Sequence, residues 1–374
     1  MALHGRIGRA AERIGAPRQA EWKLALRVTI AGTLAFAITK AFDLPQGYWA
    51  AITAVVVMQA SVGGSLKAAI DRFSGTLAGA AYGGLIAAFI PHSSPWSLGL
   101  TIAVALFPLA LLAAVSPSFR VAPVTSLIML LPPTGQALGP LASALDRVAE
   151  ITLGNIVGVV VALFILPARA HTLMTEAAAK VVSLNGELVA VFIDELTAVP
   201  RGRTPLQTLH PQIRSALKKV ETAAEEASRE RRSHLTDAAD PEPLVRTLYR
   251  VRHDLVMIGR AAAGPLPAPL LERLKPSLAA LRDETCALLS GLAQALRDRK
   301  PPPDREAFTA ALQAFVGETE ALRSDALVRD LPSAAFGQVF ALGFAFEQFR
   351  QDLGDLIART QELAGQRTIP RAES

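Results

Sequence analysis

Apolar positions are concentrated in the first half of the chain. Between residues 24 and 167 only ten charged residues interrupt them: Arg27, Lys40, Asp43, Lys67, Asp71, Arg72, Arg120, Asp146, Arg147 and Glu150. A bilayer-spanning helix needs about 20 mostly apolar residues, and this stretch supplies six candidates. They are 24–42, ended by Asp43, Pro45 and Gly47; 48–66, with Gly63-Gly64 near its end; 73–90, stopped by Pro91; and 96–115, containing Pro108. A short fifth candidate, 120–131, is bounded by Pro117, Pro123, Pro132 and Pro133, and the sixth, 148–166, is closed by Pro167.

From His171 onward the pattern becomes amphipathic. Leu244, Leu248, Val251, Leu255 and Ile258 recur at helical spacing, as do Phe340, Phe344, Phe346 and Phe349 with Leu353 and Ile357. Helices are expected over about 171–198, 206–232, 241–263, 267–299, 304–329 and 333–365, with 200–205 and 300–303 as turn or hinge material. The predicted fold is an all-α integral membrane protein: six transmembrane helices (24–167) followed by a cytoplasmic helical bundle (168–374). The basic segment 1–23 has no apolar core of signal-peptide length. Its Arg6, Arg9 and Arg13 fit either a surface-lying amphipathic helix or a solvated leader.

Loop charges set the orientation. The N-terminus, Lys67 and Arg72, Arg120 and Arg169 fall on one side. Asp43 and the stretches 91–95 and 132–145 fall on the other, so positive-inside bias places both termini in the cytoplasm of an inner (plasma) membrane. The formal net charge of +5 follows from this bias. With neither zinc-finger spacing nor a ribonucleoprotein aromatic motif, nucleic acid is not an expected partner. The chain's one cysteine, Cys286, excludes an intrachain disulfide or a cysteine metal site.

The membrane half repeats itself at an offset of 75. Asp71-Arg72 matches Asp146-Arg147, Gly79 matches Gly154, Gly83 matches Gly158, and a Thr-Leu pair recurs one position out of register. With three spans per unit the second copy enters the membrane upside down, an inverted 3+3 repeat of the kind secondary transporters use. The offset sets the second helix opposite the fifth. Both are Gly- or Pro-interrupted, and matched broken segments of that sort mark midplane binding sites. Gly75, Gly79 and Gly83 share one helix face, as do Gly154 and Gly158, and such faces permit close backbone packing.

Ionisable groups in a span cost roughly 2.5–3.5 kcal/mol each on insertion scales, and so ask for a reason. Arg27 admits two readings, snorkelling to the headgroups or contact with cargo. Arg72 and Arg147 serve either as interface anchors or as carboxylate attractors, for which the guanidinium fork is well shaped. Glu150, and with it Asp71 and Asp146, are candidate proton carriers; pairing of Glu150 with Arg147 is the structural alternative. Trp49, Thr53 and Gln59 on the second helix, and Asn155 on the sixth, either line a pathway for a flat aromatic anion or serve as interfacial and interhelical groups.

The absences also count. The sequence contains no Gly-Lys dipeptide and hence no Walker A loop, no metal-ligand spacing among its six histidines, and no nucleophile elbow. Catalysis, a metal and a cofactor are therefore not expected.

The run Leu26-Arg27, Tyr48 to Val57, Gln59, Gly63, Lys67 and Asp71 to Thr76, with Gly79 and later Arg147, Leu153-Gly154 and Gly158, resembles the fusaric acid resistance/aromatic acid exporter family. The resemblance covers about residues 20–170. It implies proton-driven efflux of aromatic carboxylic acids and kinship with plant organic-anion channels. Family exporters often carry two such units and use a periplasmic adaptor, so the single unit here implies a homodimer in membrane lipid. Three readings follow: a proton-coupled exporter of organic anions, a passive anion channel, and a membrane scaffold whose cytoplasmic bundle binds a partner.

Overall fold

A computed structural model describes residues 19–44, 46–90, 94–131, 140–197, 204–233, 235–236, 238–322 and 333–365. Residues 1–18, the loop residues 91–93 and 132–139, and most of the 200–205 linker lie outside the described residues. The chain divides into two compact units, Met1–Arg169 and Ala170–Ser374. Among the described residues all regular structure is helical.

The first unit contains α1 (Gln19–Ala41), α2 (Tyr48–Val57), α3 (Val62–Phe89), α4 (Pro95–Val115), α5 (Ala122–Leu130) and α6 (Pro140–Phe164), with a single 3-10 turn, Pro117–Phe119, before α5. Three stretches are long and apolar enough to cross a membrane: Glu21–Ala41, Pro95–Val115 and Ala142–Phe164. Helix α4 buries only Thr101, Ala105 and Leu109. Its Leu100, Phe107 and Leu111 are open, with Phe107 75% exposed. Contiguous apolar surface of this extent is not stable in water, so it faces lipid: this is a membrane protein.

The structure corrects the second and third predicted spans. Helix α2 stops at Val57, Met58 and Ser61 are extended, and α3 starts at Val62 rather than 73. The cause is local. The Ser61 Oγ accepts from the Gly64 N–H at 2.9 Å, satisfying an amide left open at a helix start. Gly63-Gly64 is therefore the first turn of α3, not a break at the end of α2. Lys67, Asp71 and Arg72 lie within α3 instead of in a loop, and Lys67 pairs with Asp71 one turn on. Helix α6 likewise begins at Pro140, so Arg147 and Glu150 lie deeper in it than expected.

Helices α3 and α6 pack together, α3 also against α5, and α6 against α2 and α1. The glycine faces allow this. A Cβ at Gly79 would meet the Ala122 carbonyl oxygen, the Thr125 Cβ at 2.7 Å and the Ala122 Cα at 3.0 Å; one at Gly154 would meet the Ala50 carbonyl oxygen, the Thr53 Cβ at 2.7 Å and the Ala50 Cα at 3.0 Å. Gly75 and Gly83 approach Val121 and Ser126 in the same row, and Gly158 approaches Val57. Backbones this close leave no room for side chains, and dispersion contacts replace the hydrophobic drive that lipid removes.

The second unit comprises α7 (Ala170–Leu196), α8 (Thr204–Arg232), α9 (Glu242–Ala261), α10 (Ala268–Asp298), α11 (Glu306–Ala321) and α12 (Ser333–Gly365). Its core takes the apolar stripes of all six, including Leu244, Leu248, Val251, Leu255 and Ile258 of α9. From α12 it takes Phe346, Phe349 and Leu353, with Phe349 edge-on to both Phe346 and Phe308. Phe344, expected in the same stripe, is 73% exposed. Its position is two short of Phe346, which turns it to the opposite face.

Candidate anion site in the membrane unit

Tyr48 and Trp49 open α2, and Gly154 of α6 packs against the following turn, so the start of α2 lies against α6. The Arg147 guanidinium stacks over the Trp49 ring, 3.5 Å from its centroid. Arg147 is 3% exposed, and its Nε and Nη1, together with Trp49 Nε1, are buried without a hydrogen-bond partner among the described residues. Buried donors are normally satisfied. Three unsatisfied donors on two stacked groups form a locus that an anionic acceptor would complete.

Glu150, one turn further along α6 and 2% exposed, accepts from the Gln46 N–H at 2.9 Å. Its hydrogen bond is to backbone, not to Arg147. The charges of Glu150 and Arg72 act on Arg147, and those of Arg147 and Asp146 on Glu150. Arg72 Nε donates to the Thr53 hydroxyl at 3.0 Å, joining α3 to α2 just below Trp49. Thr53 itself is fully buried against Gly154. Trp49, Thr53, Arg72, Arg147 and Glu150 therefore belong to one group.

The other candidates lie elsewhere. Asp71 faces the 3-10 turn before α5, accepting from Ser118 Oγ at 2.7 Å. Gln59 is exposed, past the end of α2, with its amide folded onto the Val56 carbonyl. Asn155 donates to the Ala69 carbonyl at 3.2 Å, an α6–α3 hydrogen bond, and its Oδ1 has no hydrogen-bond partner among the described residues. Arg27 is 1% exposed and turned inward, donating through Nη2 to the Ala60 carbonyl at 3.0 Å and the Gln59 carbonyl at 3.4 Å.

The two halves are alike in packing and unlike in chemistry. The glycine contacts set Ala122 and Thr125 of α5 in the places of Ala50 and Thr53, an offset of 72 rather than 75. At 72 Val121 occupies the place of Trp49, and at 75, the offset that relates α3 to α6, Gly75 occupies that of Glu150. The stacked ring and the buried carboxylate are present in one half only.

Curated relatives align with part of the chain. It is 38% identical over 77 residues to the "Uncharacterized transporter YdhK" of Escherichia coli (strain K12), a match covering 21% of this chain and 11% of the relative. The Salmonella typhimurium (strain LT2) protein of the same description is 38% identical over 76 residues, 20% of this chain and 11% of the relative. The matched stretch thus spans about a tenth of those relatives' length. Residues 34–164 match the family described as fusaric acid resistance protein-like. Over residues 34–164 the chain is thus similar to the fusaric acid resistance protein-like family, and over a shorter stretch to proteins described as transporters.

Proposed function

We propose that this protein carries organic carboxylates, aromatic ones foremost, out of the cell across the inner membrane. The observation that carries the reading is the Arg147–Trp49 stack with its three buried, unmatched donors. A carboxylate is the natural complement of such donors, and the ring face extends the site to a flat apolar body. Glu150, held by the Gln46 N–H beside this stack, is the proton carrier that couples export to the proton gradient. The basic residues left outside the helices, Arg120 and Arg169, support cytoplasmic termini. The family resemblance supports a homodimer and service by a periplasmic adaptor.

The test is flux in proteoliposomes loaded with a panel of aromatic and aliphatic carboxylates, with and without a pH gradient. Gradient-driven aromatic carboxylate movement that Arg147→Ala abolishes supports the reading. Unitary currents with no gradient dependence make the protein a channel, and no flux for any acid overturns transport.

A further inference from the structure

Helix α12 is apolar all round over its first half. From 333 to 346 it carries no charged residue, whereas 347–362 holds Glu347, Arg350, Asp352, Asp355, Arg359 and Glu362. One face of the first half lies in the core, through Val339, Leu342 and Phe346. The opposite face is open. Ala334, Gly337, Ala341 and Phe344 are exposed on it, at alternating steps of three and four residues. A helix apolar on every side needs cover on every side, and a stripe of three-four spacing is the seam along which two helices pair.

Phe344 forms a ridge between two grooves. One, of about 590 Å³, lies between α12 and α9 and is lined by Met257, Gly337, Ala341 and Arg260. The other, of about 310 Å³, lies between α12 and α11 and is lined by Val316, Phe340, Gly343 and Glu320. Arg260 and Glu320 are both exposed, and neither makes an ion pair among the described residues. The other charged lining residues are engaged: Glu347 pairs with Arg350, and Asp254 is buried beside Asp352. Arg260 shares its groove with Gly337 and Ala341, and Glu320 shares its own with Phe340. An unpaired cation and an unpaired anion therefore stand at one level of α12, on opposite sides of the ridge.

We propose that a second copy of this chain docks on this face, α12 beside α12 and parallel, with Arg260 of each chain on the partner's Glu320. A two-fold axis along α12 keeps every residue at its level and exchanges the two sides of the ridge. The opposite charges then meet twice. An axis across the helix would lay each side on itself, Arg260 toward Arg260 and Glu320 toward Glu320, so charge selects the parallel arrangement. Gly337 and Ala341 let the two backbones approach, and the Phe344 rings meet at the axis as an aromatic pair. The assignment gives the homodimer proposed above its contact face, and it rests on that part of the reading alone, not on transport.

The test is disulfide crosslinking and dilution of the full chain in detergent, with Cys286→Ser as background. Ala341→Cys should crosslink to its counterpart on mild oxidation, and Lys219→Cys, exposed on α8, should not. Arg260→Glu and Glu320→Arg should each raise the dimer dissociation constant by about tenfold or more, and the two together should restore it. Recovery by the exchange is a result that damage to the fold does not give. A dimer without the Ala341→Cys crosslink overturns the face and leaves the homodimer standing, whereas a monomer at all concentrations overturns both. Two further outcomes overturn the assignment. One is quenching of a bimane at position 341 by doxyl-labelled lipid, which makes a membrane surface the cover. The other is an unchanged dissociation constant in both single variants.

Discussion

Thr53 occupies the space that a side chain at Gly154 would need, and it uses its hydroxyl at the same time to hold Arg72. A packing position and a polar one thus coincide on a single α2 residue. Gly154→Ala must displace Thr53 or the Ala50 carbonyl, and overpacking of this kind costs about 1–3 kcal/mol. We expect a lower thermal midpoint in detergent for Gly154→Ala and for Gly79→Ala. Gly99→Ala on α4, where a Cβ meets nothing within 4 Å, should leave the midpoint unchanged or raise it.

Arg147→Lys should behave as a loss and not as a conservative exchange, because an ammonium cannot lie flat on the indole as a guanidinium does. With the stack worth about 1–2 kcal/mol, kcat/KM for an aromatic carboxylate should fall by about tenfold. Trp49→Phe should retain more flux than Trp49→Ala. Equal flux in all three variants would remove the pair from the cargo path.

Asp254 should make the second unit less stable as pH rises. Burial first, then the hydrogen bond and charge of Asp352, push its carboxyl up to about 7, against the opposing Arg250 charge. A carboxyl raised in the fold favours the protonated folded state, so its contribution is complete below its ordinary range near 3.8 and is lost as pH climbs through about 7. Hydrogen exchange of α9 and α12 should quicken from pH 5 to 8 beyond the intrinsic rate. Asp254→Asn should flatten that dependence, and an unchanged slope in the variant would refute the assignment.

Phe346→Ala should destabilise the second unit by about 3–5 kcal/mol, the usual effect of truncating a fully buried ring. Phe344→Ala, two positions away and exposed, should cost little by denaturant titration.

The helices of the second unit were legible because each carries an apolar stripe of helical period, and their ends fell close to the expected positions in all but α11. That helix, expected over 304–329, ends at Ala321, with 323–332 outside the described residues. The end of α2 was not, because Gly63-Gly64 reads as a breaker until Ser61 is seen to cap the turn containing it. The glycine repeat was visible at offset 75, but its partners run at 72, and only the contacts of Gly79 and Gly154 reveal that shift. Nothing in the pattern could join Arg147 to Trp49 across so long a separation. Asp254 and Asp352 did carry a signal: each interrupts an apolar stripe, 251–258 and 349–356, where an acid has no reason to be unless it meets a partner.

Arg27 gives the gap after α2 its viability. A carbonyl released from helical pairing and shut away from water costs about 1–3 kcal/mol if nothing donates to it. By reaching across from α1 to the oxygens of Gln59 and Ala60, the guanidinium takes the role that solvent would play in a soluble protein. The first helix thereby supplies the polarity that lets the second be short.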